Sequence, residues 1–309
     1  LPQIINLIQQ ERGVTDNLDI TVTYTTRDDG QGYNFSKINM FKLLEKYKEE
    51  IINKNINILP ALSSTQSGGM NSLANHEARS DVNIDEFRKQ IFDLLNTELI
   101  EFFTQDEEIG TYSPNIVVRP SKKDLEQCKE ELEKHNKEDD QYSEIIQRCE
   151  EKLEQYTLAT KQYKEKLEQY EFVGQLLGLY VRSQMKTSLN FNIFFLYQLQ
   201  HGCFCNLDIE DIKKLINDFT DIKQIAPYEC YFNPQSSHKL CTHDEDSVEY
   251  HNEYTKLSGI TQQIKGKQNA NHKVLKAIST GFKKMIDYDK IPLNKLSALE
   301  FQTLLYGVI

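Results

Sequence analysis

The residues most able to perform chemistry are the cysteines and histidines clustered between positions 203 and 243. They are Cys203, Cys205, Cys230, His238, Cys241 and His243. Thiolates and imidazoles bind zinc tetrahedrally, usually through two cysteines separated by two to four residues. Here a single residue separates the first pair, and the third cysteine has no near mate. Packed thiols are therefore the favoured interpretation, and we predict no metal or other cofactor.

His201 precedes Cys203 by two positions, which could suggest a cysteine nucleophile beside a base. Nothing in the pattern orients the two side chains, so a packed thiol and a surface histidine are favoured, and no catalytic residue is predicted. Two of the six cysteines, Cys128 and Cys149, lie in a highly charged helical stretch. With no secretory signal and no apolar run long enough for a membrane span, the chain is interpreted as soluble, reduced and cytoplasmic or nuclear.

The composition limits the partners and the fold class. A net charge of -11 argues against nucleic acid and against anionic membrane surfaces. A hydrophobic content of 39% is enough for a core, and only 13 Gly and 7 Pro in 309 residues favour helices over a turn-dense β fold. We therefore predict an α+β fold that is mostly α.

Several elements can be placed from local patterns. Residues 20–24 alternate with a period of two and predict a strand, whereas residues 36–54 have the spacing of one helix. Asn83, with Glu86 three positions later, predicts a helix start, and residues 297–300 form a capping box. The helix after Asn83 has apolar residues at helical spacing: Phe87, Ile91, Leu94 or Leu95, Leu99 and Phe102.

Residues 121–171 differ from the rest because they contain no Gly or Pro and carry ten basic against fifteen acidic side chains. Their three-four apolar repeat predicts one long helix or a hairpin of two, with coiled-coil patterning. This arm is either simply solvated or a docking arm for a partner protein. From Tyr170 the pattern becomes almost wholly apolar, and Gly174 and Gly178, one turn apart, would let a neighbouring helix approach closely.

Two stretches carry a resemblance to a known family. The first is YEFVGQLLGLYVR at residues 170–182, followed by LNF at 189–191. The second runs from AISTGFKKMI at residues 277–286 through IPL at 291–293 to LEFQTLLYG at 299–307. In order and spacing both resemble the N-terminal lobe (N-lobe) of a HECT-type ubiquitin ligase. Residues 103–115 are a weaker third match.

The resemblance implies an elongated HECT N-lobe-like fold with a small subdomain and an inserted coiled-coil-like helical arm. Its parts would be a divergent start (1–82), a helix and strand (83–120), the arm (121–170), the lobe core (171–205), the small subdomain (206–265) and the end of the lobe (266–309). The family's acidic-Gly-Gly-Arg-Glu stretch is reduced to Ser67-Gly68-Gly69. The cysteine-bearing catalytic lobe (C-lobe) is expected just after Gly307 and is absent, so the sequence is interpreted as a piece of a longer polypeptide.

By the same resemblance, the chain would be the non-catalytic lobe of a ubiquitin-protein transferase whose active cysteine lies elsewhere. It would dock a ubiquitin-conjugating enzyme and tether the C-lobe, with ubiquitin and an unknown substrate protein as further partners. The docking residues predicted in the small subdomain are Phe219, Ile225, Tyr228, Tyr231, Phe232 and Tyr250. These side chains could instead form that subdomain's own core. The alternative function is a non-enzymatic helical scaffold whose arm mediates assembly.

Overall fold

The computed structural model describes residues 1–14, 16–26, 33–35, 38–62, 82–107, 110–134, 142–201 and 272–306. These residues form a mostly helical α+β fold with two small sheets, in agreement with the predicted fold class.

The first sheet has three strands in the order β2-β1-β3 and follows helix α1 (Pro2–Val14). Strand β1 (Asn17–Thr26) pairs in parallel with β3 (Asn55–Leu62) and antiparallel with the short β2 (Tyr33–Asn34). Ile20, Val22 and Tyr24 of β1 are buried, as a period of two requires. The strand predicted over residues 20–24 is therefore confirmed.

The single helix predicted over residues 36–54 is wrong, because the segment contains two short helices, α2 (Met40–Glu45) and α3 (Glu50–Asn53). At the break, the Tyr47 N–H bonds to the Leu44 carbonyl at 2.9 Å, a short-range bond that tightens and ends the first helix. Helix α2 starts after the N-cap Asn39, whose side-chain oxygen accepts a hydrogen bond from the Lys42 N–H at 2.7 Å, and it receives a second cap from the distant Glu98. Its carboxylate accepts hydrogen bonds from the backbone N–H groups of Met40 (2.9 Å) and Phe41 (2.6 Å).

Helix α4 (Ile84–Leu99) begins where the sequence predicts. The Asn83 side-chain oxygen accepts hydrogen bonds from the N–H groups of Asp85 and Glu86, both at 3.1 Å. Its buried face includes the predicted Phe87, Ile91, Leu95 and Leu99. A 3-10 turn then leads into the antiparallel pair β4 (Phe103–Asp106) and β5 (Thr111–Pro114).

The charged arm is a hairpin, the second of the two predicted alternatives. Helix α5 (Lys123–Lys134) packs against the first part of α6 (Tyr142–Ser183), a helix of 42 residues and about 63 Å. The burial of α6 changes at Tyr170, since nearly all of residues 170–182 are buried while most of the preceding residues are exposed. The helix itself continues through this point, so core and arm share one rigid element.

The close approach predicted at Gly174 and Gly178 is confirmed, and the neighbouring helix is α8 (residues 272–285). A Cβ on Gly174 would lie 1.9 Å from the Ile278 carbonyl oxygen. The contact is reciprocal, because a Cβ on Gly281 of α8 would lie 1.7 Å from the Glu171 carbonyl oxygen. The two backbones therefore touch at this crossing.

The remaining helices close the core around α6. Helix α7 (Ile193–His201) and the final helix α9 (Ala298–Tyr306) contact each other, and α9 also contacts α6. The predicted capping box of α9 is confirmed, with the Glu300 N–H donating to Ser297 Oγ (3.2 Å) and the Ser297 N–H donating to Glu300 Oε2 (2.9 Å).

Buried Arg182 joins the end of α6 to the N-terminal region. Its guanidinium donates hydrogen bonds to the carbonyl oxygens of Ile51 (3.1 Å), Ile52 (2.7 Å) and Lys54 (3.4 Å). These carbonyls lie at the C-terminal end of α3, where a cation is electrostatically favourable. The arginine that ends the first resembling stretch thus has a structural role.

Replacing Gly281 by Ala is expected to lower the free energy of unfolding by about 3 kcal/mol, because the added Cβ has only backbone to displace. Urea unfolding followed by circular dichroism measures the change. Thr280→Ala is the matched control, because Thr280 is next to Gly281 and its side chain is exposed. The expected loss of unfolding free energy in this variant is below about 0.5 kcal/mol. Equal stability of the two variants would contradict the backbone contact.

Candidate functional site

The residues predicted to dock a conjugating enzyme, Phe219, Ile225, Tyr228, Tyr231, Phe232 and Tyr250, lie outside the described residues. The same holds for the weighed zinc ligands Cys203, Cys205, Cys230, His238, Cys241 and His243. Both sets stay predictions. His201 is described, and its ring lies 4.2 Å from that of Tyr197 between centroids.

The helices on either side of residues 202–271 are packed in the core. In α7, which precedes this segment, Gln200 Nε2 donates to the carbonyl oxygens of Leu293 (3.2 Å) and Leu296 (2.7 Å). The Tyr288 hydroxyl also donates to the Leu199 carbonyl oxygen. Helix α8, which follows the segment, is held against α6 by the close backbone contact at Gly174 and Gly281. Residues 202–271 are therefore connected to the core through two packed helices, α7 and α8.

The arm exposes most of its surface. Of its described residues before Tyr170, only Cys128 and Ile145 are buried. Leu153 and Leu158 on this surface are 53% and 56% exposed. The arm can therefore present a surface to another protein.

The base of the arm is stiffened where it leaves the core. The Lys166 ammonium lies 4.7 Å from the centre of the Phe102 ring, a cation–π contact, and Lys284 of α8 forms a 2.6 Å ion pair with Glu171. The Tyr170 hydroxyl donates to the Phe102 carbonyl oxygen at 3.2 Å, and burial raises the pKa of this tyrosine to about 12. These contacts fix the direction in which the arm projects.

A cavity of about 540 Å³ lies between β3, α4 and the turn after α6. Basic and acidic groups share its lining, among them Arg88, Lys89, Lys186, Asp85 and Asp93. Arg88 is held in place, since its guanidinium donates to Asn57 Oδ1 at 2.5 Å. A cavity lined by charges of both signs suits binding of a polar group.

Sequence reasoning missed one juxtaposition on the arm. Cys128 of α5 and Cys149 of α6 are in hydrogen-bond contact across the hairpin. Burial, followed by this hydrogen bond, raises the pKa of Cys149 to about 11. Both cysteines belong to the three-four repeat, but only the hairpin alternative with the correct register brings them together.

Two further findings apply to the part of the chain that the structure describes. There, no cluster of three or more His, Cys, Asp or Glu side chains could hold a metal ion. Nor is any helix in that part both long enough and apolar enough to cross a membrane.

Comparison with known proteins adds no relative: no protein-family model matches the chain, and no curated protein matches it.

The raised pKa of Cys149 predicts slow alkylation at neutral pH. At pH 7.5 its reaction with iodoacetamide is expected to be roughly 20-fold slower than that of an ordinary thiol, because a smaller thiolate fraction outweighs a higher nucleophilicity. The rate should keep rising up to about pH 11. Mass spectrometry of the tryptic peptide 149–152 measures it.

Cys128→Ala is the informative control, because it removes the hydrogen bond to Cys149 and should speed the reaction. A rate at Cys149 that levels off below pH 9 would contradict the assigned environment.

Proposed function

We propose that this chain is the non-catalytic N-lobe of a HECT-type ubiquitin ligase, which docks a ubiquitin-conjugating enzyme and tethers a cysteine-bearing C-lobe. One observation carries the proposal: the two stretches that resemble the family pack against each other. Residues 170–182 of α6 meet residues 277–286 of α8 through the reciprocal glycine contact. Stretches far apart in sequence thus contribute to one core, as homologous segments of a single lobe would.

The rest of the resembling sequence joins the same core. The Phe191 N–H donates to the Tyr306 hydroxyl at 2.9 Å, and the Thr187 N–H donates to the Leu305 carbonyl oxygen at 3.0 Å. These bonds attach the segment after α6 to the final helix α9. Phe301 and Leu305 of α9 are also buried in this core. A C-lobe connected after α9 would therefore be tethered to a helix held in the core.

In this function the lobe positions the conjugating enzyme relative to the C-lobe. Transfer of ubiquitin from a conjugating enzyme needs a thiolate held near the thioester carbonyl, and the C-lobe supplies that thiolate in the proposed arrangement. Holding two reactants at a fixed separation can replace much of the entropic cost of their encounter. A lobe whose attachment points are core-packed helices is suited to that task.

The proposal predicts direct binding of a ubiquitin-conjugating enzyme. The double variant Tyr231→Ala, Phe232→Ala is expected to weaken that binding at least 10-fold, because aromatic anchors dominate such interfaces. A pull-down with a panel of ubiquitin-charged enzymes, followed by titration of the best binder, measures the effect.

The matched control for this experiment is Tyr254→Ala, which changes an aromatic residue of the same segment outside the predicted docking set. Circular dichroism would verify that each variant keeps its helical content. Binding unchanged in the double variant would contradict the docking assignment, and no binding by the wild-type chain would contradict the function.

A second candidate function, a scaffold that assembles through its arm, is favoured by the exposed leucines on α6. Changing Leu153 and Leu158 together to Ser should then abolish self-association without loss of stability, because both side chains face solvent. Sedimentation equilibrium tests this. A chain that is monomeric at all concentrations would contradict assembly of copies through the arm.

A further inference from the structure

The hairpin places two cysteines opposite each other at the same level of the arm. Helices α5 and α6 run antiparallel, and an ion pair between Glu131 of α5 and Arg148 of α6 marks their register. One turn back along α5 from that pair lies Cys128, and the residue after Arg148 is Cys149. Cys128 is buried where the two helices pack, and this register places Cys149 beside it across the seam.

The two thiols differ in access. Cys128 is only 4% exposed, whereas Cys149 is half-buried. An oxidant in solution would therefore meet Cys149 first, with Cys128 behind it within reach of its sulfur. Cys149 would thus be the attacking thiol and Cys128 the resolving thiol, in an exchange that the raised pKa of Cys149 slows at neutral pH.

We propose that Cys128 and Cys149 form a redox-modification site that glutathione disulfide converts to an intramolecular disulfide. The Cys149 thiolate attacks one sulfur of glutathione disulfide, which breaks the S–S bond and releases one glutathione thiolate. The Cys128 thiolate then attacks the Cys149 sulfur of the mixed disulfide and releases the second. The two cysteines lose two electrons and two protons, and two glutathione molecules gain them.

The consequence of this bond follows from how thinly the hairpin is packed. Among the arm residues that the structure describes before Tyr170, Cys128 and Ile145 are the sole buried side chains. Little apolar surface therefore holds α5 onto α6, and the Glu131–Arg148 pair is exposed and contributes weakly. A covalent bond at the packed position would join the helices where noncovalent contacts are sparse.

Oxidation should change the arm and leave the core unchanged. Closing a loop of about 20 residues restricts the open hairpin, so amide hydrogen exchange in α5 should slow roughly 100-fold. Exchange in α8, which lies in the core, should not change. The site is independent of the proposed ligase function, and it would operate in a scaffold as well.

The test uses the whole chain treated with excess glutathione disulfide at pH 8.5 and then digested with trypsin without reduction. The expected product joins peptide 124–129 to peptide 149–152, with a mass two hydrogens below the sum of the two free peptides. Reduction with dithiothreitol should separate them and restore fast exchange in α5. The Cys149→Ser variant should give no linked peptide.

Three results would overturn the proposal. Cys149 could be recovered as a stable glutathione adduct, either cysteine could be joined to one of the other four, or both could still be alkylated after prolonged oxidation. Protection of both thiols by phenylarsine oxide, which bridges close thiol pairs, measures their proximity without oxidation. Failure of that protection would likewise refute the pairing.

Discussion

The crossing of α6 and α8 is the constraint on which the other contacts of this fold depend. At Gly174 and Gly281 each helix presents bare backbone to a carbonyl of the other, at distances that exclude any side chain. Such an approach permits weak Cα–H···O contacts and brings the flanking apolar residues into full contact. Phe282 then meets Phe301 of α9, with 6.5 Å between ring centroids, so the position of the last helix depends on the same crossing.

The continuity of α6 connects that crossing to the surface. No Gly or Pro occurs between Tyr142 and Val173, so nothing in this part of the helix favours a bend. The direction of the arm is therefore set by the same core contacts that hold α8. At the C-terminal end of α6, Arg182 donates hydrogen bonds to carbonyl oxygens at the end of α3, and α3 leads directly into strand β3 of the first sheet. One helix thus relates the sheet, the core and the arm.

Local signals predicted this fold well wherever the deciding contacts are local. The cap at Asn83, the box at Ser297–Glu300 and the alternation in β1 depend on residues a few positions apart, and all three are confirmed. The prediction over residues 36–54 is wrong at the break after Leu44, which the apolar spacing does not reveal, and Glu98, more than fifty residues away, adds a distant contact to the start of α2. The arm was ambiguous because one helix and a hairpin share the same apolar period.

The candidate sites that the sequence did not predict also depend on contacts between distant residues. Contact between Cys128 and Cys149 depends on the register of a hairpin, which no spacing in the sequence encodes, and the cavity beside α4 depends on three separate elements. The docking residues proposed within 202–271 remain a sequence prediction, whereas the helices that connect this segment to the core are described. The segment is connected at α7 and α8, and the arm leaves the core beside Phe102. A partner on the arm and a partner on that segment would therefore be held by different elements of one rigid core, and the crossing of α6 and α8 would set the distance between them.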